Sequence, residues 1–231
     1  MQINVHAEIR KATRDLNNIQ KRQIPFATSK SLNDIARILA KGKSGRGVGL
    51  VGKETAETFT KKAGGKGATK FTQRNFFFDK STKRDLTAYV FWDDSNADYM
   101  KFMVSGGTRF PKKRAIRVAT KHSKKHLDAF GNFKKGALDQ MMADKSKFFK
   151  GVPKGSRGKD EGIWERYGRK TKKGTGQKIR MVAAFTSSAR YKPLFPFGEF
   201  VQGYVFSREG GFAKVFRKNL EAAIKSPKVR R

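Results

Sequence analysis

Apolar positions in the first forty residues recur every three or four places. Ile9, Ala12, Leu16 and Ile19 share one face of a helix over 8–22. Pro25 stands where a second helix begins, because its missing N–H costs nothing in a first turn. That helix runs to about Lys41 and turns Leu32, Ile35, Ala36 and Leu39 to the core. Five glycines between Gly42 and Gly52 interrupt the pattern, and a short polar helix follows at 54–62. Gly64, Gly65 and Gly67 then mark a flexible link.

Beyond residue 70 the period changes. Residues 70–80 and 85–93 are aromatic-rich and joined by the polar turn Ser81-Thr82-Lys83-Arg84. Leu86, Ala88 and Val90 alternate with Thr87, Tyr89 and Phe91, as in a hairpin. Ser95 to Asp98 has the spacing of a capping box and opens a helix with Tyr99, Phe102 and Met103, ending at Gly106-Gly107. Another helix is predicted over 136–149, and a second hairpin pairs 162–167 with 178–185. Tyr191 to Phe197 is a rigid aromatic elbow containing Pro193 and Pro196. After Gly210-Gly211 a last helix carries Phe212, Val215, Phe216, Leu220, Ala223 and Ile224 on one face. Lys214, Arg217, Lys218, Glu221 and Lys225 lie opposite.

The sum is a single α+β domain over 1–231. An N-terminal helix pair and a C-terminal amphipathic helix pack on a small antiparallel sheet, with long basic loops. Flexible Gly/Lys-rich segments are expected near 42–53, 63–70 and 110–160.

Charge adds a partner to this picture. The chain has 53 Lys and Arg against 19 Asp and Glu, a net +34 at pH 7. Twenty Phe and 12% aromatics argue for a folded core, since disordered polycations are poor in aromatics. The absence of Cys excludes disulfides, thiolate metal sites and a cysteine nucleophile. Residues Met1 to His6 lack the basic flank and apolar stretch of a signal peptide. The longest apolar run, Met181 to Phe185, is far short of the ~20 residues of a membrane span. A soluble cytoplasmic protein with no membrane partner is expected. So many like charges repel unless a polyanion or acidic neighbours neutralise them, and nucleic acid is the first candidate.

The glycine pattern Gly47-Val-Gly49-Leu-Val-Gly52-Lys53-Glu54 has dinucleotide-binding spacing and comes within one residue of a phosphate-binding loop. Both motifs need a strand leading in, whereas a helix leads in here, and Glu54 replaces the Ser or Thr that would hold magnesium. A basic linker is the better reading. His122 and His126 have metal-ligand spacing if helical, but lysines surround them and no metal is expected. Asp93, Asp94 and Asp98 form the tight acidic cluster a nuclease would need, yet helix capping by Asp94 or Ser95 explains it without a ligand. No catalytic residue and no cofactor is expected.

The best phosphate-contact candidates are Lys112, Lys113, Arg114, Arg117, Lys121, Lys124 and Lys125. A second set, Arg169, Lys170, Lys172 and Lys173, sits at the tip of the later hairpin. Without a zinc-finger, RNA-recognition or helix-turn-helix pattern, binding should be to the backbone rather than to base edges. The aromatics follow sheet and helix periods, so core packing accounts for them better than base stacking.

The layout resembles a known family, the basic, cysteine-free minor tail proteins of the lambda Z type, or tail-completion proteins, of long-tailed bacteriophages. Four stretches carry the likeness: Ile24-Pro25-Phe26-Ala27 followed by Ser31 to Ala36; Ala97 to Arg109, ending Gly106-Gly107-Thr108-Arg109; Gly162 to Gly168 with Lys178 to Phe185; and Leu194-Phe-Pro-Phe197 before a terminal helix. The resemblance implies a non-catalytic virion protein at the head-proximal end of the tail, made in the host cytoplasm. Its implied partners are the tail tube, tail terminator, stopper or tape-measure protein, further copies in a homo-oligomeric ring, and the DNA backbone. An RNA-associated basic protein of ribosomal type, or another sequence-independent nucleic-acid-binding protein, is the alternative that charge and Gly/Lys loops suggest.

Overall fold

The structure is a computed structural model and describes residues 5–63, 67–112, 115–154, 161–168, 177–208 and 211–225. Helices α1 (Val5–Asn18), α2 (Ile24–Lys41), α3 (Leu50–Ala63) and α4 (Lys70–Arg74) precede strands β1 (Phe76–Asp79) and β2 (Tyr89–Trp92). Short helices α5 (Asp94–Ala97) and α6 (Met100–Ser105) lead to β3 (Gly107–Arg109) and β4 (Ile116–Ala119). Then come α7 (Ala137–Ala143), β5 (Phe148–Gly151), β6 (Gly162–Tyr167), β7 (Lys178–Thr186), β8 (Ala189–Tyr191), α8 (Phe197–Val205) and α9 (Phe212–Lys225). The fold is α+β with small antiparallel sheets. Among the described residues no helix is long and apolar enough to cross a membrane.

The chain divides into two compact units where the pattern predicts one domain. Unit 1 takes Met1–Glu57, Thr69–Met100 and Phe195–Arg231; unit 2 takes Thr58–Ala68 and Lys101–Leu194. Each unit joins stretches far apart in sequence, a division that local periodicity does not register.

In unit 1, α1 runs into α2 through a π-helical turn, Ile19–Gln23, rather than through a break. Ile24 N–H donates to Ile19 O, and the wider turn accommodates Pro25 within a continuous helix. The apolar stripe of α1 stays open, with Ile9 57% and Leu16 66% exposed. Helix α2 buries Ile35, Ala36 and Leu39, as its periodicity predicts. Against it lies α9, joined by a polar cluster around the buried Asn219. Asn219 Nδ2 donates to Ser31 Oγ (3.0 Å) and Asp34 Oδ2 (3.2 Å), and its Oδ1 accepts from Lys30 Nζ at 2.7 Å. Burial opposes ionisation of Asp34, but Asn219, Arg37 and Lys30 outweigh it and hold the carboxyl below its ordinary range.

The glycine-rich stretch is a packing device, not a flexible link. A Cβ on Gly49 would lie 2.1 Å from Leu39 O, and one on Gly52 would lie 2.1 Å from Gln73 O. Backbone approaches backbone there, and α3 begins at Leu50, earlier than the polar pattern predicts. A helix does lead into the motif.

Residues 70–74, expected as strand, form a one-turn helix because Thr69 accepts from Thr72 N–H and ends the extended run. The hairpin proper is β1–β2, pairing Phe76 with Trp92 and Phe77 with Phe91. Its inner face packs on the aromatic elbow: Phe76 stacks on Phe197 at 6.3 Å and Trp92 meets Phe197 edge-on at 5.4 Å. Ser81, at the end of β1, is tied to α2 by Asn33 Oδ1, which accepts its N–H at 2.8 Å, and by Ser29. The cap that follows is Asp93, one residue before the expected position, accepting from Ser95 N–H (2.9 Å).

Unit 2 is built on a four-stranded antiparallel sheet in the order β4-β7-β6-β5. The β6–β7 hairpin lies where the sequence predicts it. Strand β4 rises from the basic stretch expected to be loop. The helix expected to reach 149 stops at Ala143, since Asp144 turns the chain by accepting from Ser146 Oγ (2.6 Å) and Lys147 N–H (3.1 Å), freeing Phe148 to enter β5. Strands β3 and β8 pair as a separate two-stranded ribbon. Ala137, Met141, Phe148, Ile163, Val182 and Ala183 form the core. Much of 110–160, expected to be flexible, is therefore strand, turn and helix.

Asn219→Ala is expected to lower the unfolding free energy by about 2 kcal/mol, because Asp34 and Lys30 lose a buried partner. Ile224→Ala, on the same helix but 48% exposed, is expected to cost less than ~0.5 kcal/mol. Urea denaturation of both compares them, and equal losses would contradict the role given to Asn219.

Candidate polyanion interface

Charge is divided unequally between the units. Unit 2 holds 29 Lys and Arg against 6 Asp and Glu, a net +23 on 105 residues. Unit 1 holds 24 against 13, a net +11 on 126 residues. The charge excess thus belongs mainly to the unit with the four-stranded sheet.

Some of its cations are committed to the sheet itself. Arg180 Nε donates to Glu165 Oε2 at 2.7 Å, and Lys147 Nζ lies 3.4 Å from Glu165 Oε1. Arg166 lies over the Phe149 ring at 4.6 Å and donates to the carbonyls of Lys145 and Phe148. Burial raises the cost of ionising Glu165, but Arg180 and Lys147 outweigh it and hold its carboxyl below the ordinary range.

Other cations point outward. Arg117 stands exposed on β4, and Lys121, Lys124 and Lys125 are exposed on the loop that follows. Lys112 is exposed just before β4. The loop is not a floppy tether. The β6–β7 register skips Val182, since Trp164 pairs with Met181 and Ile163 with Ala183. Ser123 Oγ and Thr120 N–H both donate to Val182 O, and Thr120 Oγ1 donates to Met181 O at 2.6 Å. Thr120 N–H also donates to Ser123 Oγ at 2.8 Å, and His126 N–H closes on Ser123 O at 2.7 Å. Ser123 is fully buried beneath the lysines it positions. The result is three lysines held on a fixed backbone turn, ending in the 3-10 helix Lys124–His126.

Lys113, Arg114, Arg169, Lys170, Lys172 and Lys173 lie outside the described residues. The structure therefore brings Arg117, Lys121, Lys124 and Lys125 onto one strand and its loop. It also adds the residues that sequence reasoning missed: Thr120, Ser123 and Glu165. The Thr120-x-x-Ser123 spacing was the available signal for the first two, as a side-chain-bonded turn.

His122 and His126 are not one helical turn apart, because the segment between them is a turn followed by 3-10 helix. The His126 ring packs edge-on to Phe148 at 5.9 Å. Burial lowers its pKa, with Lys147, Lys134 and Lys125 in the same direction and Glu165 opposing, so it is neutral at pH 7. Asp93 caps a helix, and Asp94 accepts from Trp92 Nε1 at 2.6 Å. Among the described residues no group of three or more His, Asp or Glu is placed to hold a metal ion.

The Glu165 cluster makes unit 2 acid-sensitive. Its contribution is full above the ordinary glutamate value of 4.5 and is lost as pH falls through the lower folded value. Glu165→Gln is expected to cost about 2 kcal/mol at neutral pH and to flatten the stability loss as pH falls from neutral through the acid range. Thermal melts across that range check it; an unchanged pH profile would contradict the assignment.

Comparison of the chain with protein-family models, with curated proteins and with solved structures finds no match in any of the three.

Proposed function

We propose that this chain is a non-catalytic virion protein of the tail-completion type, which contacts DNA through its phosphate backbone and assembles with tail neighbours. One observation carries the nucleic-acid half: the net +23 of unit 2, with Arg117, Lys121, Lys124 and Lys125 displayed on a strand and a pinned loop. Exposed cations carried on a hydrogen-bonded turn suit phosphates and do not require a base sequence.

The assembly half rests on the family resemblance and on apolar surface that a neighbour would cover. Ile9 and Leu16 on α1 are 57% and 66% exposed, and Phe206 after α8 is 83% exposed. Head-proximal location in the tail, and a ring of like copies, follow from the resemblance alone.

The phosphate reading is tested with mixed-sequence duplex DNA. Reversing Lys121, Lys124 and Lys125 to Glu is expected to weaken binding and to make the slope of log K against log salt shallower by about 3. An unchanged slope would overturn the assignment of this loop. Structured RNA bound far more tightly than duplex DNA would favour the RNA-associated alternative. For the virion reading, antibodies against the chain should label the head-proximal ends of tails; labelling of ribosomes would overturn it.

A further inference from the structure

The outer face of the β1–β2 ribbon in unit 1 is aromatic and open. Side chains alternate along a strand, so Phe77, Tyr89 and Phe91 share the face opposite the buried Phe76. They are 37%, 60% and 39% exposed, and the neighbouring Phe71 on α4 is 56% exposed. Sequence periodicity assigned these rings to a core. In the structure the core takes the other face, against Phe197.

The face is rigid and flanked by cations. Phe77 and Phe91 lie 6.4 Å apart across the ribbon. Lys41 Nζ stands 3.5 Å from the centre of the Phe77 ring and donates to Arg74 O at 3.1 Å. Lys70 and Arg74 line a cleft of about 410 Å³ together with Phe71 and Phe77. Ser81, bonded to Ser29 and Asn33 of α2, holds the end of the ribbon in place. Asp79 shares this face opposite Tyr89, at the end held by Ser81. At the other end Asp93 caps α5 and also lines the cleft, and Asp94 accepts from Trp92.

We propose that this face binds single-stranded nucleic acid, with bases stacked on Phe71, Phe91 and Tyr89 and phosphates drawn to Lys41, Lys70 and Arg74. Every base has a π-face, so such a platform tolerates any sequence. A duplex hides its base faces within the stack, which makes the ribbon selective for unpaired strands. The cation already over Phe77 leaves the three other rings for stacking and places positive charge beside them. This site is separate from the phosphate-contact loop of unit 2, and neither reading depends on the other.

Fluorescence anisotropy of the full chain with labelled oligothymidine of about 15 nucleotides tests it. The measurement is made at about 0.3 M salt, where long-range phosphate attraction is screened. Phe71→Leu and Phe91→Leu keep apolar volume and remove the ring. Each is expected to weaken oligothymidine binding about ten-fold while leaving duplex affinity within about two-fold. The Lys121, Lys124 and Lys125 reversals should show the opposite bias. Unchanged oligothymidine affinity, or an equal loss for duplex, would overturn the proposal. So would loss of self-association by sedimentation with oligothymidine binding intact, which would make the face a protein interface. Should Phe91→Leu fail to fold, Phe71→Leu alone decides, since its ring lies largely in solvent.

Discussion

Repulsion among like charges is the constraint around which unit 2 is arranged. A net +23 on 105 residues disfavours any compact state unless cations are spread, paired or left facing a polyanion. The sheet meets this in two ways. Arg180 and Lys147 converge on Glu165, which among the described residues is the one buried acid, and Arg166 spreads its guanidinium over Phe149 and nearby carbonyls. The remaining lysines of 121–125 are exposed on a loop that Thr120 and Ser123 tie to the carbonyls of Met181 and Val182. The same bonds that keep the loop from dissipating its charge in random motion also make it a defined cationic surface. A fixed array has less conformational entropy to lose when it meets phosphates.

Unit 1 is organised differently. Its charge is lower, and its helices are joined by polar contacts at buried positions, with Asn219 reaching from α9 to Ser31, Asp34 and Lys30 of α2. That pair of helices, with Ser29 and Asn33, supports the ribbon whose outer rings remain open. The two units therefore offer different chemistries: fixed cations in one, aromatic faces beside a few cations in the other. A protein that handles nucleic acid in both paired and unpaired form would use both.

Elements with an uninterrupted period were legible in the residues. The 162–167 and 178–185 segments are two apolar-rich runs separated by a basic turn, and the α2 and α9 stripes follow helical spacing, so each lies where the pattern placed it. What escaped was set by contacts between distant residues. The glycines at 49 and 52 look like a linker until Leu39 O and Gln73 O are seen against them. Strand β4 is short, lies within a basic stretch and pairs with β7. The 136–149 helix is cut by the Asp144 turn, a local signal that helical periodicity masked. At the candidate interface the cations were visible as a lysine run. Thr120, Ser123 and Glu165, which position cations or balance charge, were not, because single polar residues gain their role only from a partner sixty residues away or across a strand. The aromatics of the ribbon were read as core packing as a group, and the open face of Phe77, Tyr89 and Phe91 was not separated from the buried one, since aromatic residues occupy both faces of the strands.

Hydrogen exchange of the full chain, with and without mixed-sequence duplex DNA at low salt, bears most directly on the central claim. The account requires slowed exchange at 116–126 on adding duplex, with the β1–β2 ribbon unchanged. Protection confined to the ribbon or to α1, or none anywhere in unit 2, would contradict it.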